Sequence, residues 1–467
     1  MKFICLFFCF VTILAGPIVP PTPPDLDPFY SAPKGYENQP NGAILKSRPV
    51  PNPLTDIVNQ VKIKAATQIM FRSEDTFGNP TAVITTVLEP FNADPSKVVS
   101  YLTFEDSGSI RCSPSYAIQV NSPGSTIMTQ LEMFFIISLL NQGYYVSTPD
   151  YEGPKSAFCA GVNNGNAVLD SIRATLKSGN ITGVDNDAKV AVWGYSGGSL
   201  ASLWAASIQP IFAPELKSNL IGFLGGGFVT NITEVAVAVD GGLFSGIAAN
   251  ALGGLLNEYS QYTTLANSLV NPALNSTWNQ RDKHCLFDAL TSFIGVHWIE
   301  GTPRVFPEGL SLLQEEPFKS IIDGNGLVNR PDLVPEVPIF IYHGTLDHIV
   351  PIPSAIKTFN QWCEAGIASA EFAEDLTNGH ITEAITGAPA ALTWLIDRFN
   401  GVLPVKGCQH TTRLSNFLYP NILPSILDYF KTAFDAVLGL NLGGDVKKDQ
   451  VSLSAIQNIQ NLKFNKI

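Results

Sequence analysis

The stretch that decides the fold is KVAVWGYSGGSLASLWAAS, residues 189–207. Its opening run, residues 189–193, is apolar and typical of a buried strand, and the small and apolar residues from Gly198 onwards favour a packed helix. Between them lies a G-x-S-x-G pattern centred on Ser196. A strand, a sharp turn and a helix around such a serine form a nucleophile elbow, in which the glycines let the turn close tightly. We therefore expect Ser196 to project at the carboxyl end of a strand, where open α/β sheets bind ligands. The alternative, a glycine-rich phosphate cradle, is disfavoured because no G-K-[ST] follows.

Short apolar runs alternate with helical patterns on both sides of the elbow, which predicts a mostly parallel α/β sheet covered by helices on both faces. The alternation stops over residues 231–329, which are expected to form an inserted cap. Part of that insertion, residues 241–257, is apolar, glycine-rich and uncharged. Such a segment suits a cover over an apolar cleft, although an ordinary buried helix pair has the same pattern. Strands are expected at residues 98–104, 143–148, 189–193, 220–224, 337–342 and 370–373, and helices at 127–140, 166–176, 198–207, 353–365 and 381–399.

The two ends of the chain differ from this core. Residues 1–16 hold one lysine, an apolar run and the small pair Ala15-Gly16, which is typical of a secretory signal peptide and too short to span a bilayer. From residue 17 to residue 53 there are 11 prolines, so this arm is expected to run extended over the surface without regular elements. The expected division is a signal peptide (1–16), a proline-rich arm (17–60), a core in two parts (61–230 and 330–400) separated by the cap (231–329), and a C-terminal extension (401–467) with a helix at 426–438.

Composition and charge exclude several function classes. Hydrophobic residues make up 45% of the chain and charged residues 15%, which is enough apolar surface for a folded core and excludes intrinsic disorder. The net charge of −12, with no run of lysine and arginine, argues against nucleic-acid binding. No transmembrane segment is expected beyond the signal peptide. A secreted, extracellular protein is predicted, with the sequons at Asn180, Asn231 and Asn275 as glycosylation sites.

A serine nucleophile needs a base, and the base needs an orienting acid. On a sheet of this kind the chain order is serine, then the acid, then histidine. Asp347 follows the fifth expected strand, and His380 lies in a turn after the sixth, so these two residues are the predicted acid and base. Asp375 and Glu374 are the alternative acids. The other histidines are less well placed: His284 and His297 fall in the insertion, His343 ends a strand, His348 adjoins Asp347, and His410 lies beyond the last expected strand.

Acyl transfer at Ser196 also requires hydrogen-bond donors for the oxyanion. The backbone N–H of Gly197, the residue after the nucleophile, is the first candidate. The second is a backbone N–H in the loop Glu105–Gly108, which follows the first expected strand. An ionised carboxylate of this loop beside the oxyanion would oppose it, so such a side chain should work best protonated, which predicts activity shifted towards acid pH.

Five cysteines follow the signal peptide, an odd count for an oxidising compartment. At most two disulfides can form, leaving one thiol, and the spacing does not decide among the 15 possible arrangements. No Cys/His cluster has the spacing of a zinc site, and neither a metal nor an organic cofactor is expected. The five residues are Cys112, Cys159, Cys285, Cys363 and Cys408.

Four segments together resemble the Candida antarctica lipase A-like family of fungal secreted lipases. They are FEDSGSIRCSPSY (104–116), STPDYEGPKSAFCAG (147–161), VWGYSGGSLASLWAAS (192–207) and IYHGTLDHIVP (341–351). The resemblance implies an α/β-hydrolase fold with a mostly helical cap, and hydrolysis of triacylglycerol. It assigns these residues: Ser196 as nucleophile, Asp347 as acid, His380 as base, and Gly197 and Asp106 as oxyanion donors.

The same resemblance implies two disulfides, Cys112 with Cys285 and Cys363 with Cys408. Cys159 would then be a free thiol that behaves as a small buried hydrophobe. The implied partners are a triglyceride or other ester lipid and, transiently, the lipid–water interface. Two competing hypotheses are a soluble carboxylesterase or peptidase on the same fold, because a triad does not distinguish these substrates, and a non-enzymatic lipid carrier that uses the apolar insertion.

Overall fold

The computed structural model describes residues 19–57 and 59–437. The expected signal peptide and the last part of the C-terminal extension, including Leu438 of its expected helix, lie outside the described residues. The strands, β1 to β12, are Ile44–Pro49, Leu54–Thr55, Gln60–Val61, Ala65–Glu74, Pro80–Glu89, Asp94–Leu102, Tyr144–Pro149, Lys189–Tyr195, Leu220–Gly226, Ile339–Gly344, Ser369–Asp375 and Gly407–Arg413.

The α-helices fall mainly between the strands from β6 onwards. Two expected helices are each divided in two, and the second division lies at Gly387, where an added Cβ would clash with the Tyr342 ring. The helices, α1 to α16, are Pro114–Ala117, Ile127–Leu131, Met133–Asn141, Gly161–Leu176, Gly179–Thr182, Gly197–Phe212, Ile232–Val239, Ser245–Glu258, Thr263–Ser268, Asn275–Trp278, Leu286–Ser292, Phe318–Gly324, Ile352–Glu364, His380–Thr386, Ala388–Phe399 and Pro424–Val437.

Ten strands form one sheet in the order β1-β4-β5-β7-β6-β8-β9-β10-β11-β12. Seven neighbouring strands run parallel, in the order β7, β6, β8, β9, β10, β11 and β12. They include all six strands expected from the apolar runs. The strands β1, β4 and β5 pair antiparallel at the other edge. The expectation of a mostly parallel α/β sheet is therefore confirmed.

The N-terminal part of the sheet corrects the expectation for the proline-rich arm. Strand β1 lies within the arm and pairs with β4, so residues 17–60 do contain a regular element. The prolines permit this because β1 is an edge strand and Pro49 is its last residue, where a missing N–H costs little. Strands β4 and β5 pair along their whole length without having been expected, although the run TAVITTV in β5 is rich in β-branched residues.

The other edge of the sheet carries a second correction. Strand β12 pairs in parallel with β11, so His410 lies within the sheet and not beyond it. The sequence GCQHTTR lacks an apolar run because most of its side chains are at least partly exposed on this edge strand. The residues that the sequence assigned to an extension thus complete the sheet.

Helices cover both faces of the sheet. The largest apolar cluster joins α4, α6 and α13 to the insertion, and a second cluster on the opposite face includes α3, α15 and α16. The insertion between β9 and β10 contains α7 to α12, and two of its asparagine side chains help to fix it to the loop after β6. The Asn250 Nδ2 atom donates to the Asp106 carbonyl (2.6 Å), and that of Asn257 donates to the Gly108 carbonyl (2.9 Å).

Candidate active site

Ser196 lies between the end of β8 and the start of α6, in a backbone conformation (φ 52°, ψ −121°) that side chains rarely adopt. Such a residue costs on the order of 1–3 kcal/mol and persists only where its surroundings enforce it. Here the enforcement is steric. An added Cβ at Gly194 would clash with the backbone of Gly198, and one at Gly198 would clash with the Leu102 carbonyl. The turn that exposes the Ser196 hydroxyl thus requires glycine at both positions.

The structure brings Ser196, His380 and Asp347 together although they lie far apart in the sequence. The Nε2 atom of His380, the first residue of α14, is 2.8 Å from Ser196 Oγ. Its Nδ1 atom is 2.6 Å from Asp347 Oδ2, on the loop that follows β10. This chain of hydrogen bonds has the order and distances that a serine nucleophile, its base and an orienting acid require.

Asp347 is held as a carboxylate. Its Oδ1 atom accepts the N–H groups of Ile349 (3.0 Å) and Val350 (2.7 Å). Burial alone would raise its pKa, but the charge of His380 and the hydrogen bonds from His343 and His380 hold the pKa of the Asp347 carboxyl well below its usual range. An ionised acid next to the imidazole stabilises the imidazolium that forms when His380 takes a proton.

His343 is a second histidine on the same carboxylate, a contact that the sequence did not indicate. Its Nδ1 atom accepts the Phe228 N–H (3.1 Å), which assigns the proton to Nε2. This Nε2 lies 2.9 Å from the Val350 carbonyl and 3.2 Å from Asp347 Oδ2. His343 therefore links the strand that precedes Asp347 to the loop that carries it.

The alternative acids of the sequence have other partners. Glu374 binds the His410 ring (2.7 Å) and the Thr345 hydroxyl (2.8 Å). Asp375 binds backbone N–H groups in the turn before His380, among them that of Thr377 (2.9 Å).

Asp106, the predicted second oxyanion residue, lies on the loop after β6 with a positive φ of 46°. Its carboxyl is buried against Gly197, where an added Cβ would clash with Asp106 Oδ1, and this oxygen has no hydrogen-bond partner among the described residues. Burial raises the pKa of Asp106 to about 7. The Asp106 backbone N–H lies within reach of the Glu152 carboxyl.

Further buried carboxyls surround this loop, and sequence reasoning did not single them out. Burial raises the pKa of Glu105 and Glu152 well above the usual range, and the neighbouring acids add to the shift. Burial also raises the pKa of Asp150 to about 7. These acids follow β6 and β7, which are neighbours in the sheet, so their loops converge although the residues are separated in the chain.

An apolar cavity leads from Ser196 into the insertion, and the space within it and its opening to solvent amounts to about 800 Å³. Its lining comes from the core and from several segments of the cap, including α7 and α8. A second apolar cavity adjoins it deeper in the cap, and the space within this cavity and its opening amounts to about 480 Å³. Both cavities are lined by Leu252, Leu255, Leu313 and Ile322, which form the boundary between them.

The cysteines pair as the resemblance implied. Cys112 is bonded to Cys285, which joins the loop after β6 to the cap, and Cys363 is bonded to Cys408, which joins α13 to β12. Cys159 is a buried free thiol that lines the cavity next to Ser196. Burial raises the pKa of this thiol well above its usual range, so it stays protonated and is not a nucleophile.

The three sequons differ in exposure. Asn180 and Asn275 are exposed, whereas Asn231 is partly buried. The Asn231 side chain caps α7 by accepting the Glu234 N–H (3.2 Å), and it donates to the Ser354 hydroxyl (3.1 Å). Both polar atoms of Asn231 are thus engaged.

The model of the secretory lipase family matches residues 118–407. The chain belongs to the secretory lipase family. This secretory lipase is 54% identical to Lipase 4 of Candida albicans (strain SC5314 / ATCC MYA-2876) over 454 residues, covering 97% of this chain and 98% of that protein. It is 52% identical to Lipase 5 of the same strain over 459 residues, covering 98% of each.

A solved structure, Candida antarctica lipase A in its closed state, superimposes on this secretory lipase with a TM-score of 0.78 at 28% identity, covering 88% of this chain and 95% of that one. The expected family, the α/β-hydrolase fold and the assignment as a lipase, a carboxylic ester hydrolase, are therefore confirmed. Among residues 19–57 and 59–437, no helix has both the length and the apolar character to cross a membrane. Within the same ranges, no three His, Cys, Asp or Glu side chains are grouped to hold a metal ion.

Proposed function

We propose that this chain is an extracellular triacylglycerol lipase that acts through an acyl-enzyme on Ser196. The observation that carries the proposal is the hydrogen-bonded series Ser196, His380 and Asp347 at the mouth of an apolar cavity. His380 Nε2 accepts the hydroxyl proton as Ser196 Oγ attacks the ester carbonyl, while the Asp347 carboxylate stabilises the imidazolium. The proton then passes to the departing alcohol, and a water molecule activated by His380 releases the fatty acid.

The oxyanion of each tetrahedral intermediate is stabilised by Gly197 and Asp106. The Gly197 N–H begins α6, so the positive end of the helix dipole also faces the developing charge. The Asp106 backbone N–H faces the Glu152 carboxyl, so Asp106 contributes its protonated carboxyl, a neutral group with a hydroxyl donor beside Gly197. The ionised form would repel the oxyanion.

An acyl lipid is the substrate class that the cavity supports best. The walls next to Ser196 come from apolar side chains such as Phe158, Ile247 and Leu255. A fatty-acyl chain gains free energy by leaving water for such a site, about 0.8 kcal/mol per buried CH₂. A peptide would leave its amide groups unpaired there, at about 1–3 kcal/mol each, which disfavours the peptidase hypothesis.

Contact with a lipid surface is supported by exposed apolar side chains on the cap and next to two of the triad residues. On the cap, the loops of Leu243 and Ile294 are joined by backbone hydrogen bonds, including Gly295 N–H to the Gly242 carbonyl (3.1 Å). On the core, Leu346 precedes Asp347 and Ile381 follows His380. The exposed fractions are 60% for Leu243, 55% for Ile294, 57% for Leu346 and 55% for Ile381.

The test is hydrolysis of a triglyceride chain-length series by the parent and by Ser196→Ala. We expect kcat to fall by on the order of 10⁴ to 10⁶-fold in Ser196→Ala, because the nucleophile is lost. Ser207→Ala is the matched control, since this buried serine lies on α6, the helix that follows Ser196, and its hydroxyl has no hydrogen-bond partner within the described part of the chain. Full turnover by Ser196→Ala would overturn the mechanism, and a parent that cleaves only short soluble esters or peptides would overturn the substrate class.

A further inference from the structure

A pair of buried carboxyls lies behind the turn that carries His380. Asp375 ends β11, Glu383 lies in the first turn of α14, and neither side chain is exposed. The Asp375 Oδ1 atom accepts the N–H groups of Thr377 (2.9 Å) and Asn378 (3.1 Å). Its Oδ2 atom accepts the Asn378 side-chain amide (2.8 Å). Asp375 thus fixes the residues that lead into His380.

The same turn supports the loop of Asp347. The Thr345 N–H donates to the Asp375 carbonyl (2.7 Å), and the Leu346 N–H donates to the Asn378 carbonyl (3.1 Å). The loop that carries Asp347 and the turn that carries His380 are therefore both hydrogen-bonded to residues 375–378, and a displacement of Asp375 would move both.

Glu383 contacts Asp375 from the helix side. Its carboxyl lies within hydrogen-bonding reach of the Asp375 carboxyl. Its Oε1 atom accepts the Asn416 side-chain amide (2.6 Å), and its Oε2 atom is 2.9 Å from the Thr386 hydroxyl. Two buried carboxyls in contact cannot both stay ionised without strong repulsion, so the pair holds a proton between them.

The proton belongs mainly to Glu383. Asp375 already accepts several backbone and side-chain N–H groups, including that of Asn416 (2.7 Å), so Glu383 is the member of the pair that is left to donate. Burial, with the charge of Asp375, raises the pKa of Glu383 well above its usual range. Among the described residues, the Tyr195 and Tyr342 hydroxyls also interact electrostatically with the pair; burial raises the pKa of both, so they remain neutral.

We propose that Asp375 and Glu383 form a proton-sharing pair that positions His380 and Asp347 for catalysis. This inference rests on the proposed triad and adds two positioning residues to it. Loss of the shared proton would set two charges against each other beneath the turn 377–379 and displace the His380 ring. Neither residue lines the acyl cavity, so the pair acts on kcat and not on KM.

The test compares Glu383→Gln, whose amide donates to Asp375 without a proton to lose, with the parent. The readout is the downfield NMR signal of the proton between His380 Nδ1 and Asp347, which reports their geometry independently of Asp106. We expect the signal to disappear with rising pH in the parent and to persist to higher pH in Glu383→Gln. Glu371→Gln is the matched control. Like Glu383, Glu371 is a buried glutamate with a raised pKa, but it lies on β11 and binds Tyr419.

A second variant, Asp375→Asn, removes the charge that the N–H groups require. We expect kcat to fall about 10 to 100-fold, since a misplacement of about 1 Å near the chemistry can cost 10²-fold, with KM within about twofold of the parent. Loss of the NMR signal at the same pH in Glu383→Gln and the parent would overturn the inference, as would an unchanged kcat in Asp375→Asn.

Glu383→Met, which also has no proton to lose, replaces Glu383→Gln if the latter does not fold. If neither variant folds, the inference is also contradicted, because the pair would then be needed for folding the whole protein and not only for positioning the loops of Asp347 and His380. Failure of the proposed function would appear differently, as turnover that does not depend on Ser196.

Discussion

Two properties of Asp106 bear on the oxyanion role proposed for it: its carboxyl is buried beside Gly197, and its pKa is raised to about 7. A raised pKa means that the neutral form persists up to this value, and the charged form, which opposes an oxyanion, accumulates above it. We expect kcat/KM to decline as the pH rises through about 7, and Asp106→Asn to remove this decline because its amide stays neutral. The measurement is a pH profile on a soluble ester.

Asp150→Asn provides the control for this comparison. Asp150 is equally buried and its pKa is also raised to about 7, but it binds Ser115 and does not line the cavity. Its variant should keep the pH profile of the parent. If Asp106→Asn declined with pH as the parent does, the Asp106 carboxyl would have no part in the oxyanion site.

The residues that the sequence indicated are those whose position follows from the strands. Ser196, Asp347 and His380 each come just after a buried apolar run, and parallel strands bring such positions to one edge of the sheet. His343 and Glu383 could not be found in this way. Their roles depend on contacts between distant segments, such as Phe228 N–H to His343, that no local pattern encodes.

Among the elements, apolar runs predicted the central parallel strands because both faces of those strands are buried. The edge strands β1 and β12 escaped detection because their side chains are mostly exposed or partly exposed and therefore polar. The helices of the cap were expected only as a group, since a glycine-rich apolar stretch fits a cover and an ordinary buried helix equally well. The contacts of α8 with both the Asp106 loop and the cavity distinguish these possibilities.

Leu252 and Leu255 of helix α8 form part of the boundary between the two cavities, so we expect α8 to limit how far an acyl chain extends. We expect Leu255→Trp to block the passage and shift the preference towards shorter acyl chains, and Leu255→Ala to favour longer ones. Each CH₂ excluded from the site forfeits about 0.8 kcal/mol, which is roughly fourfold in kcat/KM. The measurement is kcat/KM over a triglyceride chain-length series.

Leu265→Ala is the control for the cavity variants, since this leucine lies on α9 of the cap, is 40% exposed and lines neither cavity. Its chain-length profile should match the parent. Identical profiles for both Leu255 variants and the parent would show that the acyl chain does not pass this boundary.

Across the whole molecule, the two disulfides constrain loops of different length. Cys112–Cys285 spans a sequence separation of 173 residues and Cys363–Cys408 spans 45. In the chain-entropy account, a disulfide that closes a longer loop removes more entropy from the unfolded chain and stabilises the fold more. Replacing the first pair of cysteines by alanine should therefore lower the free energy of unfolding by about 1 kcal/mol more than replacing the second pair. Equilibrium unfolding in urea measures both losses, and an equal or reversed order would contradict the account.

The buried carboxyls together set how the stability of the molecule depends on pH. Glu105, Glu132, Glu152 and Glu383 all have pKa values raised well above the usual range by burial, and their stabilising effect is present below their unfolded pKa and lost as the pH rises. Asp347 acts in the opposite sense, because its lowered pKa makes its contribution disappear only in strong acid.

Asp106 and Asp150 have pKa values of about 7 in the folded protein and near 4 in the unfolded chain. Their contribution to the stability is therefore lost between about pH 4 and pH 7. We therefore expect Tm to be highest in mildly acidic buffer and to fall towards pH 8, as measured by calorimetry over a pH series at constant ionic strength. In Glu132→Gln, Tm should fall less between neutral pH and pH 8, because a neutral amide needs no proton in the folded state. A Tm that rose steadily from pH 5 to pH 8 would mean that these carboxyls are ionised without cost, and the burial argument for Asp106 and Glu383 would fail with it.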